Sequence, residues 1–135
     1  MPKAGQILFH KQFVYSDGTV GEKLLVVLNT CENKDTCLIL KTTSKSKWYG
    51  YATPGCNSSK RMFCVSKDCE QGFSKDTFVQ MNQIYPVNIE DLLRENKITF
   101  VDRLGDICFN NLKRCLRNYK DDIPQQYWTA IYSAK

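Results

Sequence analysis

The stretch QILFHKQFVYSDGTVGEKLLVVLN, Gln6 to Asn29, decides how the chain is read. Ile7-Leu8-Phe9 and Phe13-Val14-Tyr15 are β-favouring runs that bend around His10, Lys11 and Gln12. Ser16-Asp17-Gly18 then supplies residues suited to a turn with positive φ. Leu24 to Leu28 is a near-continuous apolar run, and in so few residues this predicts an interior strand covered on both faces.

A further short strand, Cys37 to Leu40, leads into the polar cluster Lys41-Thr42-Thr43-Ser44-Lys45-Ser46-Lys47. Hydroxyls and ammonium groups beside a buried strand suit a phosphodiester, which points to RNA as the partner. The net charge of +5 agrees with an anionic partner. With 135 residues, 42% hydrophobic and 24% charged, one compact domain is expected over 1–135. No run approaches the roughly 20 apolar residues that cross a bilayer. Met1 to Gly5 carries no apolar signal region, so a cytoplasmic protein without a membrane partner is expected.

Seven cysteines are an odd number, and with no export signal the expectation is reduced thiols. The spacings Cys31-x5-Cys37, Cys56-x7-Cys64 and Cys64-x4-Cys69 lack the close pairs that bring two thiolates to one zinc ion. No metal and no other cofactor is expected. Cys56, Cys64 and Cys69 are the least unsuitable set.

The first two-thirds of the chain reads as β and the last third as helical. Asn29 to Asp35 is a polar loop, and Thr53-Pro54-Gly55 breaks the chain after the aromatic Trp48-Tyr49-Gly50-Tyr51. Arg61 to Val65 and Thr77 to Val87 carry β-favouring residues, with Pro86 at a strand edge. Short strands joined by turns predict a small barrel over about 5–87, followed by helices over about 88–120 and a tail at 121–135. Asn88 caps a helix to Asn96 whose first turn holds Glu90 and Asp91. Leu104, Cys108, Leu112, Cys115, Leu116 and Tyr119 make one apolar helical stripe, ended by Pro124. Lys113, Arg114, Arg117 and Lys120 lie off that stripe and read as a solvated exterior. The aromatic tail, with Tyr127, Trp128 and Tyr132, is expected to pack on the body or on a second subunit.

In collinear order, Pro2-Lys3-Ala4-Gly5-Gln6-Ile7-Leu8, Ser16-Asp17-Gly18, Leu25-Val26-Val27-Leu28-Asn29 and Thr43-Ser44-Lys45 resemble the MazF/PemK toxins. Gly72 to Ile84, GFSKDTFVQMNQI, resembles the strand pair before that family's helical end, so the likeness covers about residues 3 to 117. The resemblance implies an α+β fold, an SH3-like small β-barrel with C-terminal helices, commonly a homodimer. It also implies a toxin of a toxin-antitoxin system: a metal-independent endoribonuclease that cuts single-stranded RNA by 2′-OH attack and is neutralised by an antitoxin protein.

Carried over residue by residue, the family's arginine falls on Lys23 and its following proline on Leu24. An arginine presents a planar fork to two phosphate oxygens, whereas a lysine is a point charge. The alternative expectation is therefore a catalytically weakened member that grips nucleic acid or protein. The catalytic hydroxyl falls on Thr43, with Ser44 beside it. The turn Ser16, Asp17 and Gly18 gates the groove, Lys45 and Lys47 add charge, Trp48 offers a stacking surface for a base, and Arg61 is a further anion clamp. His10, the only histidine, is a tempting general base, but a structural or surface place outweighs that role. Asp17 and Glu22 are the other candidate proton acceptors.

Overall fold

The computed structural model of the chain describes residues 2–15, 17–31, 36–44, 53–65 and 77–132. In chain order the elements are β1 (Gln6–Val14), β2 (Val20–Val27), β3 (Thr36–Thr43), β4 (Gly55–Asn57), β5 (Met62–Val65), β6 (Thr77–Gln80), β7 (Tyr85–Asn88), α1 (Ile89–Arg94), β8 (Ile98–Arg103), α2 (Asp106–Leu116) and α3 (Gln125–Tyr132). Short 3-10 turns lie at Ser58–Lys60 and Arg117–Asp122. The fold is α+β: a mainly antiparallel sheet with helices towards the C-terminus. Strand order is β4-β5-β6-β3-β2-β1-β8, with β7 also pairing β3, and the described pairings do not close the sheet on itself.

Strand periodicity explains why the apolar runs are continuous. Ile7, Val26, Leu28, Leu38 and Leu40 point to one face, where they pack with Leu104, Leu112, Leu116, Tyr119 and Ile131 around helices α2 and α3. Their neighbours Leu8, Leu25, Val27 and Ile39 point to the other face, onto Phe13, Ile89 of α1 and Ile98. Successive side chains alternate between faces, so a central strand with both faces covered must be apolar at every position. Burying each such side chain is worth roughly 1.5–3 kcal/mol relative to exposure. Along β1, the pairing with β2 shifts between His10 and Phe13, which is the bend expected from the sequence.

The β3 strand runs on through Lys41-Thr42-Thr43, which the sequence alone presents as a polar cluster following a strand. Thr77 to Val87 is divided into β6 and β7. Pro86 sits in β7, whose partner among the described residues is β3, so its missing N–H interrupts no second ladder there. Ile98–Arg103 is a strand within the segment expected to be helical, pairing with β1. Asn96, at φ 56, turns the chain out of α1 into it. Asn88 caps α1 as expected, its side chain accepting from the Asp91 N–H at 3.1 Å. The apolar stripe leaves the α-helix at Leu116 and continues in the 3-10 turn, where Tyr119 has non-helical φ and ψ. Pro124 also opens α3, its carbonyl accepting from Tyr127 and Trp128 at 3.0 Å each. The tail packs on the body through buried Ile131.

The reduced-thiol expectation is corrected by two disulfides, Cys31–Cys37 and Cys56–Cys115. Cys31 and Cys37 flank the β2–β3 connection, where antiparallel strand ends bring them together. Helix α2 packs on β4, which sets Cys115 against Cys56 despite a sequence separation of 59. Spacing within the sequence could not show this second pairing, because it depends on where α2 lands. With Cys56 so bonded and Cys69 outside the described residues, the weak zinc candidate loses a thiolate. Among the described residues no helix is long and apolar enough to cross a membrane.

Candidate functional site

The site is a consequence of where the β2–β3 ladder stops. Its register with β2 runs through Val27↔Ile39, Val26↔Leu40 and Leu25↔Lys41. Past that point β3 runs on, paired with β6 on the side away from β2, Thr42 with Val79 and Thr43 with Phe78. Side chains take over where the β2–β3 ladder stops. The Lys23 ammonium donates to the Thr42 carbonyl at 2.8 Å, and the Thr42 hydroxyl donates to the Leu24 carbonyl at 2.8 Å. Two strands that part in this way leave a wedge between them.

That wedge is an open cleft of about 750 Å³ whose walls include Lys23, Thr43, Ser44, Asp17 and Glu22. Thr43 is buried, Lys23 is half-buried, and Ser44 and Glu22 are exposed. Lys41, Tyr15, Thr77 and Gln80 also line it. Of the residues singled out from the sequence, the structure thus brings Lys23, Thr43, Ser44, Asp17 and Glu22 to one place. Arg61 lies elsewhere, pairing with Asp122 at 3.2 Å and stacking 5.0 Å over the Tyr119 ring. Gly18 closes the β1–β2 turn at φ 89, its N–H donating to the Tyr15 carbonyl at 2.9 Å. Ser16, Lys45, Lys47 and Trp48 fall outside the described residues, as do Tyr49 and Tyr51.

The electrostatics separate the three candidate proton acceptors. His10 is buried, pairs across the ladder with Lys23 in β1–β2 register, and packs edge-on to Phe13. Burial, with the Lys97 charge as a smaller cause, pulls its pKa below the ordinary 6.5, and it does not line the cleft. Asp17 accepts from the Thr19 hydroxyl at 2.6 Å and the Thr19 N–H at 2.9 Å. Those bonds, the hydroxyl first, hold its carboxyl below the usual range and make it a weak base. Glu22 stands exposed on the cleft wall.

Tyr15 was not singled out as a site residue, although a signal for it exists in Gly21. A Cβ on Gly21 would stand 2.6 Å from the Tyr15 hydroxyl, so glycine lets the phenol ring lie across β2. Lys23 sits 5.5 Å from the centre of that ring, a cation–aromatic distance. Lys41 similarly lies 5.6 Å from the Tyr85 ring.

No family model matches the chain, and no curated protein matches it either. The likeness to the MazF/PemK toxins therefore stands on the residues quoted for it.

Proposed function

We propose that this chain is a metal-independent endoribonuclease of the MazF/PemK toxin type, with an SH3-like barrel architecture, working as a homodimer and neutralised by an antitoxin protein. The observation that carries the reading is the convergence of Lys23, Thr43, Ser44 and Glu22 on one open cleft at the β2–β3 fork.

Cleavage by the ribose 2′-OH requires a proton acceptor, charge stabilisation at phosphorus and a proton for the leaving oxygen. Glu22 takes the 2′ proton as that oxygen bonds to phosphorus. Lys23 supports the negative charge of the phosphorane, and Thr43 and Ser44 donate hydroxyl hydrogen bonds to its oxygens. The bond from phosphorus to the 5′ oxygen then breaks, and the Lys23 ammonium supplies the proton that the departing oxygen needs. The products are a 2′,3′-cyclic phosphate and a 5′-hydroxyl.

Incubating the protein with a long RNA in EDTA should give discrete fragments carrying those ends. Intact RNA, with the protein correctly folded, would refute catalysis. The bond from Lys23 to the Thr42 carbonyl favours a second reading, in which lysine in place of arginine leaves a module that grips nucleic acid or a protein without cutting it. Salt-dependent RNA binding without fragments would select that reading. A short acidic protein encoded beside this chain would support the antitoxin partnership.

A further inference from the structure

A second cationic site lies away from the β2–β3 fork, on the helices. Lys113, Arg114, Arg117 and Lys120 put four cations into eight residues with no acidic side chain among them. Asn110, Lys113, Arg114 and Arg117, with Tyr132 of α3, wall a cavity of about 360 Å³.

Several features separate this pocket from an ordinary solvated helix face. Solvated faces commonly alternate charge so that residues four apart attract, whereas Lys113 and Arg117 are like charges at that spacing and repel. Among the described residues the ion pairs are Arg61–Asp122, Arg94–Asp91, Lys97–Glu95 and Arg103–Asp106, and none of them engages these cations. The helix dipole explains why Lys113 and Arg114 occupy the last turn of α2. It does not explain the aromatic frame that α2 and α3 together supply. Lys113 lies 5.6 Å from both the Phe109 and the Tyr132 ring, Arg117 lies 4.8 Å from Tyr132, and Lys120 lies 5.3 Å from Trp128. The Tyr132 hydroxyl donates to the Lys113 carbonyl, which fixes α3 against α2 at the pocket.

We propose that this α2–α3 pocket is a phosphate-gripping site for the backbone of a single-stranded nucleic acid, separate from the cleft at the β2–β3 fork. Guanidinium forks match phosphate oxygens in pairs. Neighbouring rings hold the cationic side chains in place, so less rotamer freedom is lost on binding. The inference extends the reading of the cleft as an RNA site by adding a second, sequence-blind contact.

The test measures binding of a fluorescent twelve-residue oligo-dT, which lacks the 2′-OH and cannot be cut by that route, across a range of salt. Compared are the wild type, a triple variant Lys113→Gln, Arg114→Gln, Arg117→Gln, and a cleft variant Lys23→Ala, Thr43→Ala. The Tyr132 bond goes to a backbone carbonyl, so the triple variant should keep its fold, checked by circular dichroism and thermal midpoint. Removing three phosphate contacts should weaken binding on the order of tenfold at moderate salt and flatten the log–log salt slope by about 2. The cleft variant should keep most of the slope. Equal affinity and slope in the triple variant would overturn the proposal. So would wild-type protein that ignores oligo-dT but binds poly-glutamate through these residues, which would assign the pocket to an acidic polypeptide. Oligo-dT binding through the pocket, together with failure to cut RNA, would defeat the catalytic reading of the cleft alone.

Discussion

The fork cleft and the helical pocket both offer cations, but they hold them in different ways. Lys23 is tied to a backbone carbonyl between parting strands, among hydroxyls and two carboxylates. Lys113 and Arg117 stand against aromatic rings on a helix, where the other pocket walls are Asn110, Arg114 and Tyr132. The first arrangement contains the kinds of group that move protons. The second contains charge and hydrogen-bond donors, which serve affinity. Net charge alone cannot distinguish these uses, whereas the neighbours of each cation can.

The comparison breaks most sharply at Lys23. Lys23→Ala should cut RNA cleavage by on the order of 100- to 1,000-fold, as loss of one charge-stabilising donor commonly does. The Thr42 carbonyl would lose its partner, at a cost of about 1–3 kcal/mol in stability. Chemical denaturation beside a cleavage assay separates the two effects, and unchanged cleavage would remove Lys23 from the site.

Loss of the Cys56–Cys115 bond should act on the helical region instead. The Cys56–Cys115 bond fastens β4 to α2, and removing such a link typically costs about 2–5 kcal/mol. Cys115→Ala should therefore lower the unfolding midpoint and weaken oligo-dT binding, while cleavage of a short RNA by the protein still folded persists. A midpoint that does not move would show that the bond contributes nothing to holding α2.

Gly21→Ala sharpens the comparison from the cleft side. The added Cβ should push Tyr15 aside, lowering RNA cleavage about tenfold at a stability cost near the ~1 kcal/mol typical of point substitutions. Helical-pocket binding should not change.

The smallest effect is a pH dependence. His10 has a folded pKa below its unfolded value, so the unfolded chain binds more protons in the window between them. Stability should be complete above about pH 6.5 and should decline as pH falls through that window towards the folded pKa. Denaturant midpoints between pH 5 and 8 would follow it, and His10→Asn should flatten that slope. An unaltered slope would place the titration elsewhere.

Much of the fold was legible because alternation and covered apolar runs have few solutions. Leu24–Leu28, the bend at His10 and the Asn88 cap each follow from side-chain period or backbone chemistry. The β8 strand was missed although Ile98-Thr99-Phe100-Val101 is rich in β-favouring residues, because it lies between two helical signals. Of the site, Lys23, Thr43 and Ser44 were readable as types in order, but the fork that gathers them depends on the β2–β3 ladder ending at Leu25 and Lys41 while β3 runs on beside β6. The Cys56–Cys115 bond and the pocket between α2 and α3 depend on tertiary docking, which no local pattern encodes.

The most direct test of the fork as a phosphodiester site is an amide NMR titration with a short 2′-O-methyl RNA, which cannot be cut by 2′-OH attack. Largest shift changes at Glu22, Lys23, Thr43 and Ser44, lost at high salt, are expected. Shift changes confined to other surfaces, with those four amides unmoved at saturation, would contradict the placement of the backbone in this cleft.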